Sequence, residues 1–145
     1  MKGRMLVYTP FGSLSEPPEI TELSARPMYK ELDELVDGFV EQVPWFVSIE
    51  IDGKLERCVA LWTKHNRSGM NVVNHRATLL WEAALQRLGP GLSQTKGPPA
   101  GWGFSGMDDE HQPRLLYGTV VVLTGDPEFV NLLVYDAPAR PWGGR

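Results

Sequence analysis

The chain has 145 residues, of which 42% are hydrophobic and 22% charged, and a formal net charge of -4. This length suits a single domain, and the composition is that of a globular protein rather than a disordered chain. No apolar run approaches the roughly 20 residues of a membrane helix, and the start of the chain lacks a secretory signal pattern. We therefore expect a cytoplasmic protein without membrane contact, and the lack of a dominant basic footprint argues against direct nucleic-acid binding.

Two strands and a helix are predicted for the first third of the chain. Residues 5–9 (MLVYT) and 20–23 (ITEL) indicate short strands that pair as a hairpin. Pro27 is well placed to begin a helix, and Gly38 to end it. The apolar stripe predicted for this helix consists of Met28, Leu32, Leu35 and Val36.

The outer face of the first helix is predicted to be acidic. It carries Lys30, Glu31, Asp33, Glu34 and Asp37, and residues 16–41 contain eight acids against two bases. A solvated face is the simpler interpretation. The alternative is a contact surface, with Glu31, Glu34 and Asp37 as candidate protein-binding residues.

A strand over residues 39–43 and a hairpin around Asp52-Gly53 are predicted next. A two-residue turn would set Ile49 opposite Glu56. Counting Lys54 into the loop instead sets Ile51 opposite Leu55, with the pairs Val47–Val59 and Trp45–Leu61 following. We prefer the longer loop because it keeps the apolar residues on one face.

Residues 64–69 (KHNRSG) form a basic, turn-like loop in which Lys64, His65 and Arg67 are weak candidates for anion binding. A solvated loop without a ligand is the favoured interpretation. Cys58, the single cysteine, excludes an internal disulfide and is interpreted as a buried structural thiol rather than a nucleophile.

The main helix is predicted over residues 74–88, with Asn74 as its N-cap. Its apolar stripe consists of Ala77, Trp81, Ala84, Leu85 and Leu88. Four polar residues are predicted to point away from that stripe: Arg76, Thr78, Glu82 and Gln86. Gly89 and Pro90 are expected to end the helix.

Residues 89–113 form a long Gly/Pro-rich segment without periodicity. Trp102, Phe104 and Met107 within it are candidate protein-binding side chains, although they could equally pin the segment to the core. The adjoining cluster Asp108, Asp109, Glu110 and His111 resembles a metal-ligand set, but a solvated charged turn is favoured. We expect no metal and no cofactor.

Residues 115–124 are apolar on both faces, which predicts a central strand covered on each side. A final strand is predicted over residues 129–135, followed by an extended tail, 136–145. The predicted domain, residues 1–135, is α+β, with a mostly antiparallel sheet of about five to seven strands and two amphipathic helices packed on it. The expected order is β-(β)-α-β-β-β-α-β-β.

Four motifs in this order resemble an uncharacterised family of small proteins from bacteriophages and other mobile elements, known as domain of unknown function 3846. They are Gly38-Phe39-Val40-Glu41 after a helix, Asp52-Gly53-Lys54, Asn74-x-x-Ala77-Thr78, and the strand around residues 118–123. The resemblance covers roughly residues 28–125. The chain departs from the pattern in its longer segment after Leu88 and in everything beyond Gly125.

The resemblance implies a phage setting and supplies no catalytic residues. The sequence contains no phosphate-binding glycine loop, HExxH motif or serine elbow. We therefore expect a non-enzymatic regulator that binds a host protein, with bacterial RNA polymerase as the first target by analogy with small phage host-takeover factors. The alternatives are a DNA mimic or nuclease inhibitor acting through the acidic helix, and a small-ligand binder at residues 64–67.

Overall fold

The computed structural model describes residues 1–69, 71–88 and 115–133, and it has an α+β fold built on an open antiparallel sheet. The six strands are β1 (Gly3–Tyr8), β2 (Glu19–Leu23), β3 (Glu41–Gln42), β4 (Ser48–Ile51), β5 (Lys54–Trp62) and β6 (Val120–Gly125). The helices are α1 (Tyr29–Val36), α2 (His75–Leu88) and the single-turn α3 (Pro127–Val130). The predicted fold class is confirmed.

β6 lies in the middle of the sheet. The strand order is β2-β1-β6-β5-β3, and β4 pairs with β5 outside this path. Every residue of β6 except Gly125 is buried, which confirms the central strand predicted from its two apolar faces. The strand begins only at Val120, because the chain before it makes no more than an isolated bridge, between Tyr117 and Val73.

Helices cover both faces of the sheet. Alternate residues of one strand point to opposite faces, and the buried residues of β5 and β6 separate accordingly into two clusters. Cys58 and Val122 pack with α2, together with Trp81 and other apolar side chains. Val59, Leu61, Val121 and Leu123 pack with Leu32 and Val36 of α1 and with Phe129 of α3. α1 and α2 therefore lie on opposite sides of one sheet.

The first hairpin is confirmed: β1 and β2 pair antiparallel, with Leu6 opposite Ile20. The stripe predicted for α1 is only half right. Leu32 and Val36 are buried, whereas Met28 is 69% and Leu35 37% exposed, because this eight-residue helix turns only one side to the sheet. Asp33, predicted on the outer face, is buried.

The preferred register of the second hairpin is wrong. Ile49 lies opposite Glu56 and Ile51 opposite Lys54, so the turn has two residues, Asp52 and Gly53, both at positive φ (52° and 77°). An acid can face Ile49 because the Glu56 carboxylate is bound by Arg4 at 2.7 Å.

The apolar alternation on which the longer loop rested also fails. Val47 is 42% exposed while Phe46 is buried, and Trp45 before them adopts a positive φ of 62°. The strand predicted over residues 39–43 is reduced to the two residues of β3.

The start of α2 is confirmed at Asn74. Its Oδ1 accepts from the Ala77 N–H at 3.1 Å, and its Nδ2 donates to the carbonyl oxygens of Tyr8 and Gly118, both at 2.8 Å. The predicted stripe is buried except for Leu88, which is 49% exposed because it lies at the helix end. Arg76 was predicted to point away from the core, and it is buried instead.

The strand predicted over residues 129–135 is wrong where the structure describes it, because α3 occupies residues 127–130. Pro127 occupies a first-turn position of this helix, where its missing N–H is tolerated. Phe129 and Leu133, four residues apart, then pack on the sheet. The predicted long segment 89–113 and tail 136–145 lie outside the described residues. In the part that is described, no helix has the length and apolarity to cross a membrane.

Candidate functional site

The acidic end of α1 and the basic loop 64–69 lie against each other. α1 ends at Asp37, which adopts a left-handed backbone (φ 63°, ψ 47°). The Asp37 carbonyl oxygen accepts from the Arg67 N–H at 2.7 Å. Two sets of residues with separate predicted roles therefore form one junction.

The Asp37 carboxylate is used inside this junction. Its Oδ2 accepts from the Ser68 hydroxyl at 2.5 Å and from the Ser68 N–H at 3.1 Å, and we call this pair of bonds the Asp37–Ser68 clasp. The hydrogen bond from the Ser68 side chain, followed by that from its backbone, lowers the pKa of Asp37. Asp37 is thus bound to its own chain, while Glu31 and Glu34 lie on the helix before it.

Close packing fixes the chain reversal after α1. A Cβ on Gly38 would lie 2.5 Å from Thr63 Oγ1 and 2.8 Å from the His65 carbonyl oxygen, so a side chain there would displace the loop. The buried Asp33 carboxylate accepts from the Val40 N–H at 2.8 Å. Gly38 thus allows the loop to lie against the helix end, and Asp33 fixes the chain that follows α1.

The basic loop faces acids of its own chain. Lys64 Nζ lies 3.4 Å from Glu41 Oε1, and the Arg67 and Ser68 backbone is bound to Asp37. His65 and Arg67 are exposed. Because Glu41 and Asp37 offset the loop's positive charge, the arrangement offers a free anion a weaker site than three neighbouring cations suggest.

Glu31 and Glu34 differ in their local partners. Glu31 Oε1 accepts from the Met28 N–H at 3.2 Å, which helps to cap the start of α1. Glu34 is exposed, and within residues 1–69, 71–88 and 115–133 its carboxylate has no hydrogen bond or ion pair. Of the three acidic candidates, Glu34 is the one whose charge serves no contact in the described part of the chain.

Two apolar side chains accompany these acids. Met28, Glu31 and Leu35 are spaced by three and four residues, which places them along one side of α1, and all three are exposed. We call Met28, Glu31, Glu34 and Leu35 the outer face of α1. The exposure of Met28 and Leu35 was not predicted, because helical spacing cannot show which of two neighbouring apolar stripes packs on the sheet.

Cys58 offers no nucleophile. The side chain is buried in β5, and its Sγ lies 3.7 Å from the Phe46 carbonyl oxygen, to which the thiol can donate. Burial raises the pKa of Cys58 to about 12, so the thiol stays protonated at neutral pH. The structural role predicted for this residue agrees with its position.

An open groove of about 470 Å³ lies at the other end of the sheet, beside β1, β5 and the start of α3. Arg4 Nη2 contacts both Glu56 carboxylate oxygens at 2.7 Å, and this interaction raises the pKa of Arg4 and lowers that of Glu56. The Lys2 N–H donates to Asp126 at 3.0 Å. Arg4, Glu56 and Asp126 in the groove are thus bound within the chain.

The remaining candidates cannot be placed. Trp102, Phe104 and Met107, and the cluster Asp108 to His111, lie outside the described residues. Among the residues that are described, no group of three or more His, Cys, Asp or Glu side chains could hold a metal ion.

Comparisons with protein-family models, with curated proteins and with solved structures give no match to this chain. The family resemblance drawn from the four sequence motifs therefore stays a prediction.

Proposed function

We propose that the chain is a non-enzymatic regulator of phage type that binds a host protein, with bacterial RNA polymerase as the target, and inhibits or redirects transcription. The observation that carries the proposal is the outer face of α1. Met28 (69% exposed) and Leu35 (37% exposed) lie beside Glu31 and Glu34 on one helix. Proteins commonly recognise one another through a helix face that carries both apolar and charged exposed side chains.

The charge of this face selects the kind of partner. Glu31 and Glu34 outnumber Lys30, the base exposed on the same helix, so a surface rich in Lys and Arg is the complementary one. The apolar side chains would fill pockets on that surface, and the acids would orient the approach. RNA polymerase, which binds nucleic acid, carries such basic surfaces. The choice of this enzyme rests on analogy with small phage factors rather than on a residue of this chain.

The setting that follows from this target is the cytoplasm of an infected bacterium, where the polymerase works. The proposed role makes no use of Cys58, whose buried thiol is protonated at neutral pH.

The DNA-mimic alternative makes a different demand on the same face. A mimic needs negative charge and little else, whereas a docking helix also needs its apolar side chains. Met28 and Leu35 lie exposed beside the acids, which favours docking, because a mimic has no use for apolar side chains. Leu35 and Glu34 are adjacent on the helix, and substituting each of them separately distinguishes docking from mimicry.

Binding to purified bacterial RNA polymerase core enzyme tests the proposal. We expect Leu35→Ser to weaken binding by about tenfold or more, the loss typical of an apolar anchor. Glu34→Lys should weaken binding less and mainly slow association. Leu132→Ser is the matched control, since Leu132 is 47% exposed outside α1, and it should leave binding unchanged.

The outcomes are distinct. Failure of the wild-type chain to bind core or holoenzyme, or to alter a purified transcription reaction, removes the polymerase as target. Loss of activity with Glu34→Lys but not with Leu35→Ser, together with displacement of a DNA-binding protein from its site, supports mimicry instead.

A further inference from the structure

A second exposed apolar surface lies in the loop between β1 and β2, residues 9–18. Phe11 is 69% and Leu14 63% exposed. The Glu16 N–H donates to the Ser13 carbonyl oxygen at 3.1 Å, which closes a turn with Leu14 inside it. A flexible loop could fold such side chains back onto the protein, so Phe11 and Leu14 stay exposed only if the loop is held in place.

The loop is held by Arg76 of α2. Arg76 Nη2 donates to the Thr9 carbonyl oxygen at 2.9 Å, and Nη1 donates to the Glu16 carbonyl oxygen at 2.8 Å. The two bonds join one guanidinium to both ends of the loop. The same group lies 5.5 Å from the centre of the Tyr8 ring. We call Arg76 and its bonds to Thr9 and Glu16 the Arg76 clamp.

The clamp is buried and tightly fitted. Arg76 is 6% exposed, and among the described residues its Nε has no hydrogen-bond partner. A Cβ on Gly12 would lie 2.8 Å from Arg76 Cζ and 2.5 Å from Glu16 Oε2, so only glycine fits there. Burial of a guanidinium is costly unless hydrogen bonds replace its contacts with water. Here those bonds fix a loop whose large side chains, Phe11 and Leu14, remain mostly exposed.

From this geometry we infer that Phe11 and Leu14 form a preorganised anchor for a host protein that has an apolar pocket bordered by Lys and Arg side chains. Exposed aromatic and aliphatic anchors on a rigid loop bind with little loss of entropy. The basic border follows from charge: Glu16 and Glu19 are exposed in and beside the loop. The Arg76 guanidinium under the loop is buried, and Glu22 lies opposite Arg4 in the sheet. The inference rests on the proposed function only for the identity of the partner.

The anchor is distinct from the outer face of α1. Arg76 belongs to α2, which packs on the opposite side of the sheet from α1. A regulator with both surfaces would contact its target at two places, and each surface can be removed without the other.

Purified RNA polymerase core enzyme is the first probe. The double variant Phe11→Ser/Leu14→Ser is expected to raise Kd by about tenfold or more. Leu55→Ser, at a residue that is 54% exposed on β5, is the matched control and should leave Kd unchanged. If the double variant binds as tightly as the wild type, the anchor is wrong and the proposed function stands.

Arg76 is a positioning residue, and its role has a readout that needs no partner. In hydrogen exchange, Arg76→Met should speed exchange at the Glu16 amide while leaving the β5 amides slow, and Arg76→Lys should restore part of the protection. A Glu16 amide that already exchanges freely in the wild type contradicts preorganisation and overturns the inference.

If the wild-type chain does not bind the polymerase, the proposed target is wrong. The anchor is then tested in bacterial lysate with a photoreactive crosslinking residue at position 11 and, as the control, at position 55. The protein crosslinked only from position 11 is then purified, and weaker binding by the Phe11→Ser/Leu14→Ser variant supports the anchor. Equal crosslinking from both positions overturns it. The inference is also overturned if the wild type binds phosphatidylcholine vesicles, or associates with itself, and the double variant does not.

Discussion

The two longer helices lie on opposite faces of the sheet, and the polar side chains at the start of α2 differ from those on the outer face of α1. At the start of α2, Asn74 and Arg76 are buried and hydrogen-bonded to distant parts of the chain. On α1, Glu31 and Glu34 remain exposed beside Met28 and Leu35. The start of α2 therefore ties distant parts of the fold together, whereas the outer face of α1 remains exposed and contributes little to the core.

The largest effect should separate two leucines of the same helix. Leu32→Ala removes a fully buried side chain and should lower the free energy of unfolding by about 2–5 kcal/mol. Leu35→Ala, at the exposed position on the outer face, should change it by no more than about 0.5 kcal/mol. Urea unfolding measures both. Equal losses would mean that the outer face of α1 also belongs to the core.

The next effect concerns the cap of α2. Asn74→Ala removes the bond to the Ala77 N–H and leaves the carbonyl oxygens of Tyr8 and Gly118 without a buried donor. We expect a loss of about 2–3 kcal/mol in unfolding free energy. Asn71→Ala, at an exposed asparagine before the helix, is the control and should be nearly neutral. A small loss at Asn74 would show that water replaces its bonds.

These two comparisons also show how far the sequence alone reaches. The Asn74 cap and the central position of β6 follow from local sequence patterns. A cap bonds the backbone of its own helix, and a strand that is apolar on both faces must be covered on both sides. The register of the β4–β5 hairpin also had a local signal, since Asp52-Gly53 favours the two-residue turn that is observed. The prediction failed because that register sets Glu56 opposite Ile49, and Arg4, which binds Glu56, lies 52 residues away in sequence.

The candidate sites divide in the same way. The acids of α1 could be placed on one helix from their spacing. The Asp37–Ser68 clasp, across 31 residues, and the bond from Arg76 to Glu16, across 60, could not. The available signal was the position of Arg76 at the edge of an apolar stripe. A charged residue there can bond a loop next to the sheet on which the helix packs.

A smaller effect is the pH dependence from the Arg4–Glu56 pair. Arg4 lowers the pKa of Glu56 below its ordinary value of 4.5. The pair should therefore stabilise the fold above about pH 4.5, and its contribution should disappear as the pH falls through the lowered pKa. Both side chains are partly exposed, so the contribution should stay below about 1 kcal/mol.

Urea unfolding at pH 7 and pH 3 measures this term, with the double variant Arg4→Met/Glu56→Gln as control. The wild type should lose more stability on acidification than the double variant does. Identical losses would assign the acid sensitivity to other carboxylates.

The smallest effect should come from the Asp37–Ser68 clasp, which lies at the surface. Asp37→Asn weakens the bonds from Ser68 and should speed hydrogen exchange at the Ser68 amide with little change in global stability. Because the pKa of Asp37 is lowered, acidification below that pKa should reproduce the effect in the wild type. Glu34→Gln is the control on the same helix. Unchanged exchange in Asp37→Asn would show that the backbone alone holds the loop.

The most direct test of the account is the hydrogen-exchange footprint of bacterial RNA polymerase core enzyme on the full chain. If the outer face of α1 docks on the polymerase, exchange in the complex should slow over α1, residues 29–36, and change little in β6, which is already buried. A complex that forms while the exchange of α1 stays unaltered would show that the outer face of α1 is not the docking surface.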